Sequence, residues 1–407
     1  MSSCVITGMG IISSLGLGVD EFWRRLLEGE QVVEGVMIPG ASTPIWQSRV
    51  GPSFNPQDVV DDPRVLRNAS RFTFYALAGV SQALAQARLI ELPEERTAVL
   101  MGTSMGGVPD LTAAQSSYIT EGIQKVPARL MASVIPNMAA SHIAMHYHLH
   151  GPQLTLTSAC ASGIDSIGMA SRLIQSGIAD IAIVGGVENL LDPVVSASLF
   201  HAHALAQATH STDASKPFDR DRTGFVMGEG AGVVILESAV HALQREQPIL
   251  AYVEGYASLA DGYHVTAPEP SGKWEARAME RALDAASISA HAIDLVLAHG
   301  TGTPVGDLAE IRAIKQVYGS LPVVVTSIKG HIGHSMGASG TMSVVAAIQS
   351  MHHSIVPPTK GTRILDPEVD FEIVLHEPLR VPVQMAQVNA FGFGGQNASL
   401  VLSREGR

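Results

Sequence analysis

The chain has 407 residues, 46% of them hydrophobic and 16% charged, with a formal net charge of −12. That length corresponds to two or three domain-sized units with a large buried core. The acidic balance argues against general nucleic-acid binding, which needs clustered Lys and Arg to neutralise phosphates. No apolar run is long enough to span a membrane. Two cysteines, Cys4 and Cys160, cannot form a disulfide framework, so a reducing, cytoplasmic setting is expected.

The opening stretch MSSCVITGMGIISSLG lacks a basic leader and is broken by glycines, so it reads as a first strand and turn rather than a signal peptide. The helix-like DEFWRRLLEG follows. TAVLMGTS, LTLTSAC, IADIAIVGG and GAGVVILES are then short, apolar, β-branched strand candidates. After about residue 245 a similar series restarts with ILAYVEGYA, the helical KWEARAMERALDAA, IDLVLAHG, VVVTSIKG and NASLVLS. Strands alternating with helices imply parallel or mixed sheets covered by helices. The recurring order suggests a duplication, with halves at residues 1–245 and 246–407 packed as one body.

Four segments carry chemistry. In LTLTSACASGIDSIG a strand runs into Cys160 and a helical pattern begins at once. A cysteine there feels the positive end of a helix dipole and free N–H groups, which favour the thiolate and could also hold an oxyanion. Inert burial is the competing reading. In LAHGTGTPVGDLAEI, His299 ends a strand, and Asp307 and Glu310 open the next helix, where capping alone could account for them. In TSIKGHIGHSMGASG, Lys329 ends a buried strand, a costly position unless it is paired or functional. His331 and His334 have the spacing of a metal pair, but no nearby carboxylate or cysteine completes a site, so no metal is expected. In NAFGFGGQN, Phe393 sits between glycines, as either a gate or a hydrophobic plug. A cysteine with histidines suits nucleophilic catalysis. A thiol protease or a transglutaminase-like enzyme would use the same pair.

Together these segments resemble the β-ketoacyl-[acyl-carrier-protein] synthases of the thiolase superfamily. TSACASG is similar to their nucleophile turn, AHGTGTPVGD and SIKGHIGHSMGASG to their two histidine motifs, and NAFGFGGQN to their gating loop. KPFDRDRTGFVMGEGAGVVILE also matches, with Asp219, Arg222 and Glu229 in place. The match runs through almost the entire chain. The Cys–His–His set with a lysine resembles the elongating types I and II rather than the initiating type III enzymes, which use Cys–His–Asn.

The resemblance implies an α/β thiolase fold: duplicated α/β/α/β/α layers with two mixed five-stranded sheets, usually dimeric. It implies that Cys160 takes an acyl chain from acyl-carrier protein. His299 and His334 then stabilise the enolate formed when malonyl-carrier protein loses carbon dioxide. Lys329 orders the His334 site, Asp307 and Glu310 support the network, and the N–H groups of Cys160 and Phe393 hold the oxyanion, with the Phe393 side chain as the gate. Thr301, Thr303 and Thr266 match pantetheine-binding positions, and Met105 a position lining the acyl pocket. No cofactor is implied beyond the carrier's phosphopantetheine. An acidic carrier needs basic contacts, for which Arg64, Arg67 and Arg71, spaced to share one helix face, and Lys125 with Arg129 are candidates.

One departure stands out. Ser343 occupies a position where elongating synthases usually carry a glutamate near the lysine. It suggests a specialised polyene or polyketide branch, in which the enzyme pairs with a chain-length factor rather than forming a homodimer. A thiolase would need a second catalytic cysteine, and a chain-length factor usually lacks the nucleophile. Neither fits this chain.

Overall fold

The computed structural model describes residues 3–406. Its centre is an eleven-stranded mixed sheet. In chain order the strands are β1 (Cys4–Ile12), β2 (Thr97–Gly102), β3 (Gln153–Leu156), β4 (Ile181–Glu188), β5 (Gly230–Ser238), β6 (Ala251–Ala260), β7 (Leu295–Leu297), β8 (Val324–Thr326), β9 (Glu372–Ile373), β10 (Met385–Gly392) and β11 (Gln396–Ser403). The helices that matter for the site are α1 (Arg71–Gln86), α2 (Val108–Glu121), α3 (Met138–His146), α4 (Ser162–Gln175), α5 (Lys273–Ala286), α6 (Pro304–Tyr318) and α7 (Ser339–His353).

The duplication expected from the sequence is visible in the connectivity. The first five strands lie in the order β3-β2-β4-β5-β1, with β2 parallel to β3 and β4, and β5 antiparallel to β4 and β1. Strands β8-β7-β10-β11-β6 repeat both the order and the directions. The picture of two separate five-stranded sheets needs one amendment. Strands β1 and β6 would each leave an edge of unpaired N–H and C=O groups, and they pair with one another instead, Cys4 opposite Val253. This joins the halves into one sheet, and β9 adds a short outer strand beside β8.

Alternation along the strands assigns each side chain to a layer. In β4, Ala182 and Val184 join the core containing α4 and α7, while Ile181 and Ile183 face Phe72, Tyr75 and Val80 of α1. On the second half the outer layer is α5 and α6, packed through Met279, Ile311 and Ile314. Helices α4 and α7 therefore lie between the halves, giving the α/β/α/β/α order of the thiolase fold. Helix α7 is buried from Ser339 to Met351, which explains its apolar composition on every side. The two central helices begin against each other. A Cβ on Gly163 would come within 2.6 Å of Thr341 Oγ1, and one on Gly340 within 2.7 Å of Ile164 Cγ1.

The same local motif precedes both helices. Ser158-Ala-Cys-Ala-Ser162-Gly163 and Ser335-Met-Gly-Ala-Ser339-Gly340 each form a 3-10 turn running directly into the helix. Each carries a non-glycine residue at positive φ, Ala159 at 50° and Met336 at 42°. The duplication thus places two sharp turns on the central axis of the molecule.

The basic face predicted for Arg64, Arg67 and Arg71 is not a single helical face. A short helix ends at Asn68, Ala69 and Ser70 are extended, and α1 starts afresh at Arg71.

Candidate active site

The nucleophile candidate, Cys160, sits in the turn between β3 and α4 with 6% of its surface exposed. Left-handed backbone at Ala159 is costly for a residue with a side chain. The turn is held by Ser162 Oγ, which accepts from Ser158 N–H at 3.0 Å and donates to the Ala159 carbonyl at 2.6 Å. The second turn brings His334 to the same point from the other half, its Nε2 3.0 Å from Cys160 Sγ. His334 Nδ1 lies 2.9 Å from Ser339 Oγ. The His299 ring meets that of His334 edge-on at 5.2 Å, and Phe225 and Phe391 pack against His334 and His299. One atom each of Cys160, His299 and His334 lies within 4.8 Å of the other two, close enough to act on one substrate group.

The protonation states follow from burial. Desolvation pushes the Cys160 thiol up to about 12, opposed by the Lys329 charge and by the N–H of Phe393, which donates to the sulfur. The helix end and its N–H groups favour the thiolate, as expected, but burial outweighs them, so the resting residue is a thiol. Burial, reinforced by Lys329, holds His299 and His334 well below the ordinary histidine range. Both are neutral imidazoles at pH 7. With His334 neutral, the 3.0 Å contact is made by the thiol donating to a bare Nε2 or by Nε2–H donating to the sulfur, according to which ring nitrogen carries the proton.

Asp307 and Glu310 do more than cap α6. Glu310 accepts the N–H groups of His299 and Gly300 at 2.7 and 2.6 Å. Asp307 accepts those of Thr301 and Gly302 at 3.0 Å and of Phe218 at 2.6 Å. The end of α6 thus holds the turn that carries His299. The helix cap proper is Thr303, accepting from Gly306 N–H. Arg222, its side chain 4% exposed, lies 3.8 Å from Asp307 and 2.6 Å from Asp366, and Asp219 accepts from the backbone of Arg363 and Ile364.

Lys329 donates its ammonium to the His299 carbonyl. Burial pulls it below the usual lysine range, and the charge of Glu310 is the largest influence in the other direction. The lysine therefore draws its counter-charge from Glu310. Ser343, where relatives were expected to carry an acid, is simply a buried serine of α7. The supposed pair of His331 and His334 also separates. The His331 ring lies between the carbonyls of Glu30 and Pro358, at 2.6 and 2.7 Å.

The gate candidate is the β10–β11 hairpin. A Cβ on Gly392 would come within 3.0 Å of Cys160 N, and Gly394 and Gly395 turn at φ of 81° and 71°. The neighbouring loop grips this turn. Gly394 N–H donates to the Val265 carbonyl at 2.8 Å, Asp261 N–H to the Gly395 carbonyl at 2.9 Å, and Asn397 to the Asp261 carboxylate. Phe393 itself is 38% exposed.

These groups open into a cavity of about 340 Å³, lined by Cys160, His299 and His334 at its base and by Thr266, Thr301 and Thr303 along its wall. Sequence reasoning missed two of its features. Glu275 in the first turn of α5 lines the cavity, and its Oε2 has no hydrogen-bond partner among the described residues. Ser339 faces the second ring nitrogen of His334. The repeat of Ser162 at Ser339 was the signal available for the latter. An acid in a helical first turn gave none for the former.

Two expectations change. Met105 is absent from the cavity wall. It is 46% exposed, and Leu111, Tyr118 and Ile119 of α2, Met145 of α3 and Leu154 of β3 are exposed as well. Arg71 is committed elsewhere, stacked over Phe54 and Tyr75 and 3.9 Å from Glu229, and Arg64 pairs with Asp62. Arg67 and Arg129 are exposed, and Lys125 lies 3.5 Å from Glu121.

A buried thiol, two neutral imidazoles and two N–H groups aimed at one sulfur, at the end of a channel in a thiolase fold, define a thiol-dependent acyl-transfer enzyme. Residues 1–242 match the family described as beta-ketoacyl synthase, N-terminal domain, and residues 250–363 its C-terminal domain. The chain belongs to this family, the β-ketoacyl-[acyl-carrier-protein] synthases. It is 36% identical over 411 residues to 3-oxoacyl-[acyl-carrier-protein] synthase 2 of Vibrio harveyi, covering 98% of each chain. With the mitochondrial 3-oxoacyl-[acyl-carrier-protein] synthase of Arabidopsis thaliana it shares 34% identity over 427 residues, 98% of this chain and 92% of the relative. Among solved structures, the ishigamide ketosynthase/chain length factor superposes with a TM-score of 0.93 at 32% identity, covering 100% of both chains. A type II PKS acyl-carrier protein in complex with its ketosynthase gives 0.90 at 28% identity, over 99% of this chain and 100% of the other. No helix among the described residues is long and apolar enough to cross a membrane.

Proposed function

We propose that this chain condenses an acyl group held on Cys160 with a malonyl unit presented by acyl-carrier protein, giving a 3-oxoacyl-carrier protein two carbons longer in fatty-acid synthesis. The observation that carries the reading is the contact of His334 Nε2 with the Cys160 sulfur, with His299 beside it and the cavity open above both.

In the first half-reaction the sulfur attacks the carrier's thioester carbonyl. His334 Nε2 takes the thiol proton and returns it to the departing pantetheine sulfur. The N–H groups of Cys160 and Phe393 hold the oxyanion. In the second, the carbon–carboxylate bond of the malonyl group breaks, carbon dioxide leaves, and the electron pair becomes an enolate. Its oxygen accepts hydrogen bonds from His299 and His334. The enolate carbon attacks the acyl thioester, the C–S bond breaks, and the Cys160 thiolate regains a proton from solvent. Thr266, Thr301 and Thr303 hold the pantetheine arm, and Phe393 admits the second carrier only after acylation. Lys329, Asp307 and Glu310 keep the histidine turns in place. No bound cofactor takes part. Lys125 and Arg129, with Arg67, offer exposed positive charge to an acidic carrier. Incubating the protein with acyl- and malonyl-carrier protein and weighing the products tests the reading. A 3-oxoacyl product two carbons longer supports it, and malonyl loss without extension rejects it.

A homologous second subunit belongs to the same reading. Strand β3 is a free edge of the sheet among the described residues; it carries the exposed Leu154 and contacts α3, which carries the exposed Met145, and such an edge suits an interaction surface. A partner on this face would enclose Met105 and so help set chain length. Relatives solved with a chain-length factor favour a second assignment, a polyketide or polyene ketosynthase working as a heterodimer. Saturated products made by the chain alone as a homodimer would reject that assignment.

A further inference from the structure

His334 is asked for two opposite services. To receive the Cys160 proton its Nε2 must be bare, with the ring proton on Nδ1. To hold the enolate oxygen its Nε2 must carry a proton, with Nδ1 bare. A backbone N–H or C=O beside Nδ1 would favour only one of these tautomers. The group present is a hydroxyl, which accepts from Nδ1–H or donates to bare Nδ1 by rotating about one bond. Ser339 Oγ lies 2.9 Å from Nδ1 and is 4% exposed.

The duplicated turn sharpens the point. In the first copy Ser162 donates its hydroxyl to the carbonyl of Ala159, in its own turn. In the second copy the corresponding hydroxyl faces His334 instead. Phe225 and Cys160 occupy other sides of the ring, so the hydroxyl is placed to direct the proton of Nδ1.

We propose that Ser339 is a positioning residue that supports both tautomers of His334, and so lets one imidazole act as proton acceptor in acylation and hydrogen-bond donor in decarboxylation. The ring exchanges its proton with solvent water between the departure of one carrier and the arrival of the next, and no bond to Ser339 forms or breaks. The inference rests on the condensing activity proposed above.

The test measures the two half-reactions separately in the full chain: acyl transfer onto Cys160, and decarboxylation of malonyl-carrier protein. Removing one neutral hydrogen bond, as in Ser339→Ala, should slow at least one half-reaction by about 3- to 10-fold. It should also shift the ring 15N resonances of His334 toward a single tautomer. Ser339→Thr, which keeps the hydroxyl, should restore both rates and the spectrum. Unchanged rates or an unchanged His334 spectrum in Ser339→Ala would overturn the inference, as would failure of Ser339→Thr to restore them despite an unchanged melting temperature. If the wild-type protein neither acylates nor decarboxylates, the condensing activity itself fails. An active wild type with an indifferent Ser339→Ala removes only this inference.

Discussion

His334 Nε2 lies 3.0 Å from the Cys160 sulfur, whereas His299 contributes its carbonyl to Lys329 and its ring edge to His334. The two histidines are therefore not interchangeable. His334→Ala should impair both half-reactions, because it removes the proton acceptor of the thiol as well as an enolate donor. His299→Ala should leave acyl transfer to Cys160 within about 10-fold of wild type while lowering malonyl decarboxylation by about 100-fold or more, the scale of losing one oxyanion-type donor. Equal losses in both half-reactions for both variants would contradict the assignment.

Glu275 provides a pH signature. Burial, with Glu310, Asp261, Asp307 and Glu269 nearby, pushes its carboxyl well above the ordinary glutamate range. The folded protein keeps a proton that the unfolded chain releases above about pH 4.3. This group's contribution to stability is complete below that pH and is lost as the pH rises toward the folded value, at about 1.4 kcal/mol per pH unit. Glu275→Gln should match wild type in melting temperature near pH 4.5 and exceed it at pH 8. An equal difference at both pH values would show that Glu275 is not the source.

His331 lies between the carbonyls of Glu30 and Pro358, at 2.6 and 2.7 Å, next to the segment that follows the helix Val19–Leu27 and at the base of the lysine turn. Burial keeps His331 neutral, so His331→Ala leaves unpaired the one carbonyl that takes its single ring N–H, at about 1–3 kcal/mol. Chemical denaturation should show that loss with kcat little changed among the molecules still folded. Loss of activity at full stability would give His331 a catalytic role.

These residues also show how far the sequence could be read. Cys160, His299, Lys329, His334 and the Phe393 loop are local motifs whose strand–turn–helix setting fixes their backbone, and the structure brings all five together. The duplicated order of strands was legible because each half repeats the same alternation of apolar runs. What depended on distant packing was not. The depth at which Cys160 lies, which keeps it a thiol, follows from side chains distant in sequence, among them Leu190, Leu205, Phe225 and Met336, packing around it. The β1–β6 pairing forms between the two halves. The break at Ala69 and Ser70 interrupts a spacing that otherwise suits one helix. The outward placement of Met105 depends on which face the fold leaves uncovered.

That uncovered face makes its own prediction. Leu154 on the free edge strand is 46% exposed, and an acidic side chain there would be desolvated by a partner. Leu154→Glu should shift the protein toward monomer in sedimentation, without unfolding it. An unchanged sedimentation profile would remove β3 from the subunit interface.

The central claim is that Cys160 carries the growing chain. Intact-mass measurement after exposure to acyl-carrier protein should show one added acyl group, located on the peptide containing Cys160 and absent in Cys160→Ala. Adding malonyl-carrier protein should discharge it into a product two carbons longer. An acyl group found on any other residue, or an adduct on Cys160 that malonyl-carrier protein leaves in place, would contradict the account.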